Sequence, residues 1–104
     1  EVDLGDIEKQ DNSSRRLVLI IYDIVKDKRR NKINKFLEGY GKRIQKSAFE
    51  CFLNEGMYKK VTDKLAKMID EKEDLLRVYR FSHRCEIRCW GSVGKSEDEQ
   101  YWVL

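Results

Sequence analysis

Little in this 104-residue sequence suits a membrane span, a zinc site or an activated nucleophile. No apolar run approaches the ~18 residues that a membrane helix needs, and no signal-peptide pattern opens the chain. A soluble protein of the cytoplasm is therefore expected. The first residue is Glu1 rather than Met, so the natural start is expected to lie upstream or to have been trimmed. The three cysteines, Cys51, Cys85 and Cys89, form an odd set without scaffold-like spacing, which argues against a disulfide framework and for reduced thiols. Cys85 and Cys89 fall four apart on an extended segment, roughly 13 Å at ~3.3 Å per residue. A single zinc ion with sulfur bonds of ~2.3 Å cannot reach both. His83 is the only histidine and sits in the turn Ser82-His83-Arg84, where such a residue is usually just exposed. Gly91-Ser92-Val93-Gly94 lacks the helix and lysine of a phosphate-cradling loop, and Ser47 has no histidine near it in sequence.

What the chain does have is charge. Charged residues make up 39% of it and hydrophobic residues 40%, against a usual charged share of about a quarter. The core must be thin, so burying more surface in a dimer is a natural way to gain stability. The formal net charge of +3 is unevenly spread. Residues 1–14 hold five acids against Lys9, a net of −4, which leaves +7 on the rest, and Glu97, Asp98 and Glu99 make the other end acidic again. A basic body between acidic ends suits a polyanionic partner, although a well-solvated surface reads the same way.

Periodicity divides the chain into an acidic disordered tail (1–14), one domain (15–93), and a C-terminal loop and edge strand (94–104). Leu17 to Val25 is β-branched and almost continuously apolar, as in a central strand buried on both faces. Asp27 can cap a helix whose stripe is Ile33, Phe36, Leu37 and Tyr40, stopped by Gly39 and Gly41. Arg43 to Leu53 reads as extended, with its inward parity switching near Ser47 through a kink or bulge. Asn54 caps a second helix with Met57, Val61, Leu65, Met68 and Ile69 inward, and strands follow at Leu75–Phe81 and Cys85–Trp90. The closing Tyr101-Trp102-Val103-Leu104 is expected to add a strand at a sheet edge, that of a partner subunit. This order predicts an α+β, ferredoxin-like split βαβ fold: an antiparallel sheet with both helices on one face, the other face covered sheet to sheet in a two-fold homodimer.

Asp23 breaks the pattern of its strand, a carboxylate ending an apolar run, and rule-breaking positions are expected at functional sites. If two copies meet at this strand end, two carboxylates repel unless a hard divalent cation such as Mg²⁺ (or Mn²⁺) joins them, and such a metal could polarise a phosphate and activate water. A strand-end aspartate that caps a turn or pairs with Arg29 or Arg30 is the competing account. Lys28, Arg29, Arg30, Lys32, Arg43 and Lys46 are candidates for phosphate contact, or form a solvated helix face.

The strand ending Tyr22-Asp23-Ile24, then Asp27-Lys28-Arg29-Arg30-Asn31-Lys32, then Arg43-Ile44-Gln45-Lys46-Ser47-Ala48-Phe49-Glu50, resembles the small CRISPR-associated adaptation proteins, the Cas-two family. The resemblance runs from about Leu17 to the C-terminus and leaves out the acidic tail. It implies a ferredoxin-like homodimer that joins the CRISPR integrase in inserting spacer DNA, and a metal-dependent endonuclease acting on RNA or double-stranded DNA. The family's metal-binding aspartate falls on Asp23, and Tyr22, Arg30, Arg43 and Phe49 fall on positions of its active-site region. Lys32 stands where such proteins often carry arginine, which keeps the charge and loses the bidentate fork.

Other functions fit a similar fold. A VapD-like toxin endoribonuclease is one; a non-catalytic ferredoxin-like module that binds nucleic acid as a scaffold is another. An RNA-recognition sheet usually displays spaced aromatics, and Leu17 to Val25 has none before Tyr22.

Overall fold

β1 (Arg16–Asp23) is the spine of the structure, flanked on one side by β3 (Ala48–Leu53) and on the other by β4 (Leu75–Phe81). β2 (Gly41–Gln45) pairs outside β3, and β5 (Cys85–Gly91) outside β4, giving the order β2-β3-β1-β4-β5 with every neighbour antiparallel. α1 (Asp27–Glu38) and α2 (Glu55–Met68) are the two crossovers. The first four strands make the ferredoxin-like split βαβ sheet, and β5 extends it as a hairpin with β4. This is a computed structural model, and it describes residues 15–82 and 84–92. The acidic tail, His83 and the C-terminal loop with its expected edge strand lie outside the described residues.

The core forms between the sheet and the helices. Val18, Ile20 and Tyr22 of β1, Phe49, Cys51 and Leu53 of β3, and Leu76 and Val78 of β4 point to one side and meet Ile33 and Leu37 of α1 with Tyr58, Val61 and Leu65 of α2. Asn54 caps α2 as its sequence indicates, its side chain accepting from the Met57 amide at 2.8 Å. α1 starts one residue earlier than a capping Asp27 would allow. Lys26 is its N-cap, and Asp27 is the first helical residue, where its charge favours the helix dipole and pairs with Arg30.

Two other expectations change. β1 is buried on one face only: Leu17 and Leu19 are half-buried and Ile21 is 39% exposed, because one chain supplies no layer there. Phe52 and Phe81 share that open face and are exposed as well. The parity switch near Ser47 is a reversal of the chain, with Gln45 facing Ala48 across a turn at Lys46 and Ser47, and the register slips between Arg43 and Gln45. None of the described non-glycine residues takes a positive φ, so this turn is not of the kind that Asn-Gly announces. Gly41 lets β2 lie against β3, since a Cβ there would come within 2.4 Å of both the Cys51 Sγ and the Glu50 carbonyl oxygen. Beneath it, burial and then Glu50 push the Cys51 thiol up to about 11.

Candidate active site and nucleic-acid interface

One end of the sheet gathers the residues of interest. The C-terminal end of β1, the turn between β2 and β3, the start of α1 and the start of β4 all lie there, since Tyr22 donates its amide to the Ser47 carbonyl (3.1 Å) and Asp23 pairs in register with Leu75. Asp23 is exposed at the last position of β1, and among the described residues its carboxylate takes part in no hydrogen bond or ion pair. Neither Arg29 nor Arg30 pairs with it.

Strand alternation sends Tyr22 the other way. Its ring is buried against the helices, and its hydroxyl donates to Oδ1 of Asn34. Burial raises the Tyr22 hydroxyl above its ordinary value, opposed by the nearby charges of Arg43 and Arg30. Phe49 is fully buried on that same side and belongs to the core. Tyr22 of β1, Arg30 of α1 and Arg43 of β2 thus form one electrostatic group on the helix side of the sheet, whereas Asp23 faces the open side.

The cations divide by what they touch. Arg29 sends Nε to Asp74 (2.7 Å) and Nη2 to Glu73 (2.6 Å), and these bonds, Asp74 first, raise its basicity further. Arg30 bonds the Ile24 carbonyl (2.8 Å) and Asp27. Arg43 bonds the Lys46 carbonyl at 3.0 Å, which braces the β2–β3 turn. Lys28, Lys32 and Lys46 are exposed. Lys26, Lys28, Arg29 and Lys32 line a shallow groove of about 380 Å³ with Met68 at its wall, so the start of α1 offers a concave cationic surface.

Asp74 is the residue that sequence reasoning missed. It lies in an acidic stretch of the kind usually found in a solvated loop, yet it is fully buried. Leaving a carboxylate there unpaired would cost several kcal/mol. All four of its acceptor positions are used instead: Oδ1 takes the Val25 amide (3.0 Å) and Arg29 Nη2 (3.2 Å), and Oδ2 takes Arg29 Nε (2.7 Å) and the Asp70 amide (2.8 Å). The signal available was weak: an acid directly before the β4 run, with its arginine partner 45 residues earlier in α1.

Among the described residues no cluster of three or more His, Cys, Asp or Glu side chains could hold a metal. Asp23 is the unpartnered carboxylate at the end of β1 among the described residues. Mg²⁺ binds through one or two carboxylates and keeps several waters, so this donor fits the ion only where further oxygens come from a second copy or a phosphate. Also among the described residues, no helix is long and apolar enough to cross a membrane.

A ferredoxin-like sheet with an unpaired strand-end carboxylate and lysines at the adjoining helix start makes this a small α+β domain with one strongly charged end. Comparison with known proteins gives its family. The family model for CRISPR associated protein Cas2 matches residues 16–88, and the chain belongs to this family. A CRISPR-associated endoribonuclease Cas2 of Chloroflexus aurantiacus is 50% identical over 68 residues, 64% of this chain and 73% of that protein. A CRISPR-associated endonuclease Cas2 of Thermus thermophilus is 36% identical over 86 residues, 83% of this chain and 96% of the relative. The crystal structure of Streptococcus pyogenes Cas2 superposes with a TM-score of 0.59 at 32% identity, covering 64% of this chain and 86% of that one.

Proposed function

We propose that the protein is a CRISPR adaptation subunit of the cytoplasm that holds nucleic acid as a homodimer, bridges the integrase complex, and cleaves phosphodiesters of RNA or double-stranded DNA with Asp23 and a divalent ion. The observation that carries this reading is Asp23 itself, an exposed carboxylate without a protein partner among the described residues, at the sheet end where the cationic start of α1 also lies. The names of the relatives, endoribonuclease and endonuclease, support the reaction class.

The open face supports the homodimer. Leu17, Leu19, Ile21, Phe52 and Phe81 form an apolar surface on the side away from the helices, and a two-fold copy would cover it. That arrangement brings two sheet faces together and with them two copies of Asp23. Mg²⁺ or Mn²⁺ held there supplies charge stabilisation at a phosphate and a more acidic water. The chain's own part is to present the Asp23 oxygens and to hold the strand through Lys28, Lys32, Arg43 and Lys46, with Arg30 tying the start of α1 to Ile24 and Tyr22 holding its middle at Asn34.

A second reading, a non-catalytic scaffold for the integrase, is favoured by the lack of a metal-binding cluster of three or more His, Cys, Asp or Glu side chains among the described residues. Asp23→Asn separates the two. Under the nuclease reading the variant still co-purifies with the integrase and a short duplex, while Mg²⁺-dependent cleavage, abolished by EDTA in the parent, is gone. Equal cleavage by both proteins contradicts a catalytic Asp23.

A further inference from the structure

Asp74 sits where three segments of the active end meet. Its carboxylate takes the Val25 amide, two residues beyond Asp23, and the Arg29 guanidinium, in the first turn of α1. It also takes the Asp70 amide, and its own amide donates to the Asp70 carbonyl (2.8 Å), so the loop before β4 is closed on the same residue. Its carbonyl takes the Ser92 amide at 2.8 Å, beyond the end of β5. Asp23 is therefore bracketed. On its own residue it is tied by strand pairing to Leu75, the neighbour of Asp74, and two residues later the chain is tied to the Asp74 side chain.

Stability alone does not account for this choice of residue. Buried ion pairs replaced by well-packed apolar groups are often neutral or stabilising, so a core position of this kind has no need of a charge. What an apolar side chain cannot do is hold an amide of the β1–α1 turn and a guanidinium of α1 at once. That double grip sets the angle between the strand end that presents Asp23 and the helix start that presents the lysines.

We infer that Asp74 is the positioning residue of the site: by anchoring the Val25 amide and Arg29 it fixes the direction of Asp23 relative to the cationic start of α1. This rests on the reading of Asp23 as the cleaving carboxylate. A catalytic group must be held within about 0.5 Å, and an error of about 1 Å costs on the order of 100-fold in rate.

The test compares cleavage by the parent, Asp74→Asn, Glu73→Gln and Asp23→Asn, each assayed at the same interval below its own melting temperature with Mg²⁺ and a labelled RNA and duplex. Asp74→Asn keeps the shape but turns two acceptor positions into donors. It is expected to lose about 10- to 100-fold in kcat with KM changed less than about twofold, and amide exchange at Val25 is expected to speed up selectively. Glu73→Gln removes the charge of a partner of Arg29 without touching Val25 and is expected to stay within about twofold of the parent. Parent-like kcat in Asp74→Asn, with Asp23→Asn inactive, overturns this inference alone; parent-like cleavage by both overturns the role of Asp23 and the inference together. If Asp74→Asn does not fold, the parent's Val25 amide decides: exchange as slow as that of β1 amides is expected, and exchange at the rate of an open turn contradicts the anchor.

Discussion

Gly91 passes so close to Asp74 that a Cβ on it would stand 2.0 Å from the Asp74 carbonyl oxygen, and its φ is +105°. Both facts exclude a side chain here. Gly91→Ala combines backbone strain with a clash against main chain that cannot swing aside, and is expected to cost about 3 kcal/mol. Urea unfolding measures this, and a change below about 0.5 kcal/mol would contradict the close approach.

The acid limb of stability should belong in part to Asp74. Burial pushes its carboxyl up, but the Arg29 guanidinium and the Asp70 and Val25 amides outweigh burial and hold it below the usual carboxylate range. A carboxyl lowered on folding contributes stability that is fully present above its unfolded value, about 3.9, and is lost as pH falls through the folded value. Asp74→Asn should therefore be less stable than the parent near neutrality, with the gap closing as pH drops below about 4. Urea midpoints across that range check the sign; a gap independent of pH would contradict it.

The open sheet face separates a monomer from a dimer. Phe52 is 56% exposed in the single chain, so Phe52→Glu should leave a monomer about as stable as before. In a sheet-to-sheet dimer it buries an unpaired charge and should dissociate the subunits. Light scattering at fixed concentration is expected to show the variant at half the parent mass, and an unchanged mass would argue against that interface.

Salt dependence tests the cationic end. Lys28→Ala, Lys32→Ala and Lys46→Ala should each weaken duplex binding and lower the slope of log affinity against log salt by about one where a phosphate is contacted. Arg29→Ala should behave differently, because its guanidinium is committed to Asp74 and Glu73: the fold, more than the slope, should suffer. A flat salt response of the parent would count against phosphate contact altogether.

The helices and β1 were legible because their signals are local. Asn54 before an apolar stripe marks a helix start whatever surrounds it, and the six apolar residues from Leu17 to Tyr22 mark a strand. The hairpin at Lys46 and Ser47 was not, because Lys-Ser is not one of the glycine-containing pairs that announce a two-residue hairpin and the register slip absorbs the reversal. Asp23 stood out as a charge ending an apolar run. Asp74 did not, since Asp70, Glu71, Glu73 and Asp74 look alike in sequence and only the packing of α1 against the loop decides which is buried. For the same reason Arg29 resembled its neighbours in the basic cluster until its partners were seen.

Single-turnover cleavage of end-labelled RNA and duplex DNA, by the parent and by Asp23→Asn at saturating protein with Mg²⁺, bears most directly on Asp23 as the cleaving carboxylate. A fall of at least about 100-fold for the variant, with binding of either substrate unchanged, is the predicted result. Equal rates for the two proteins would contradict it.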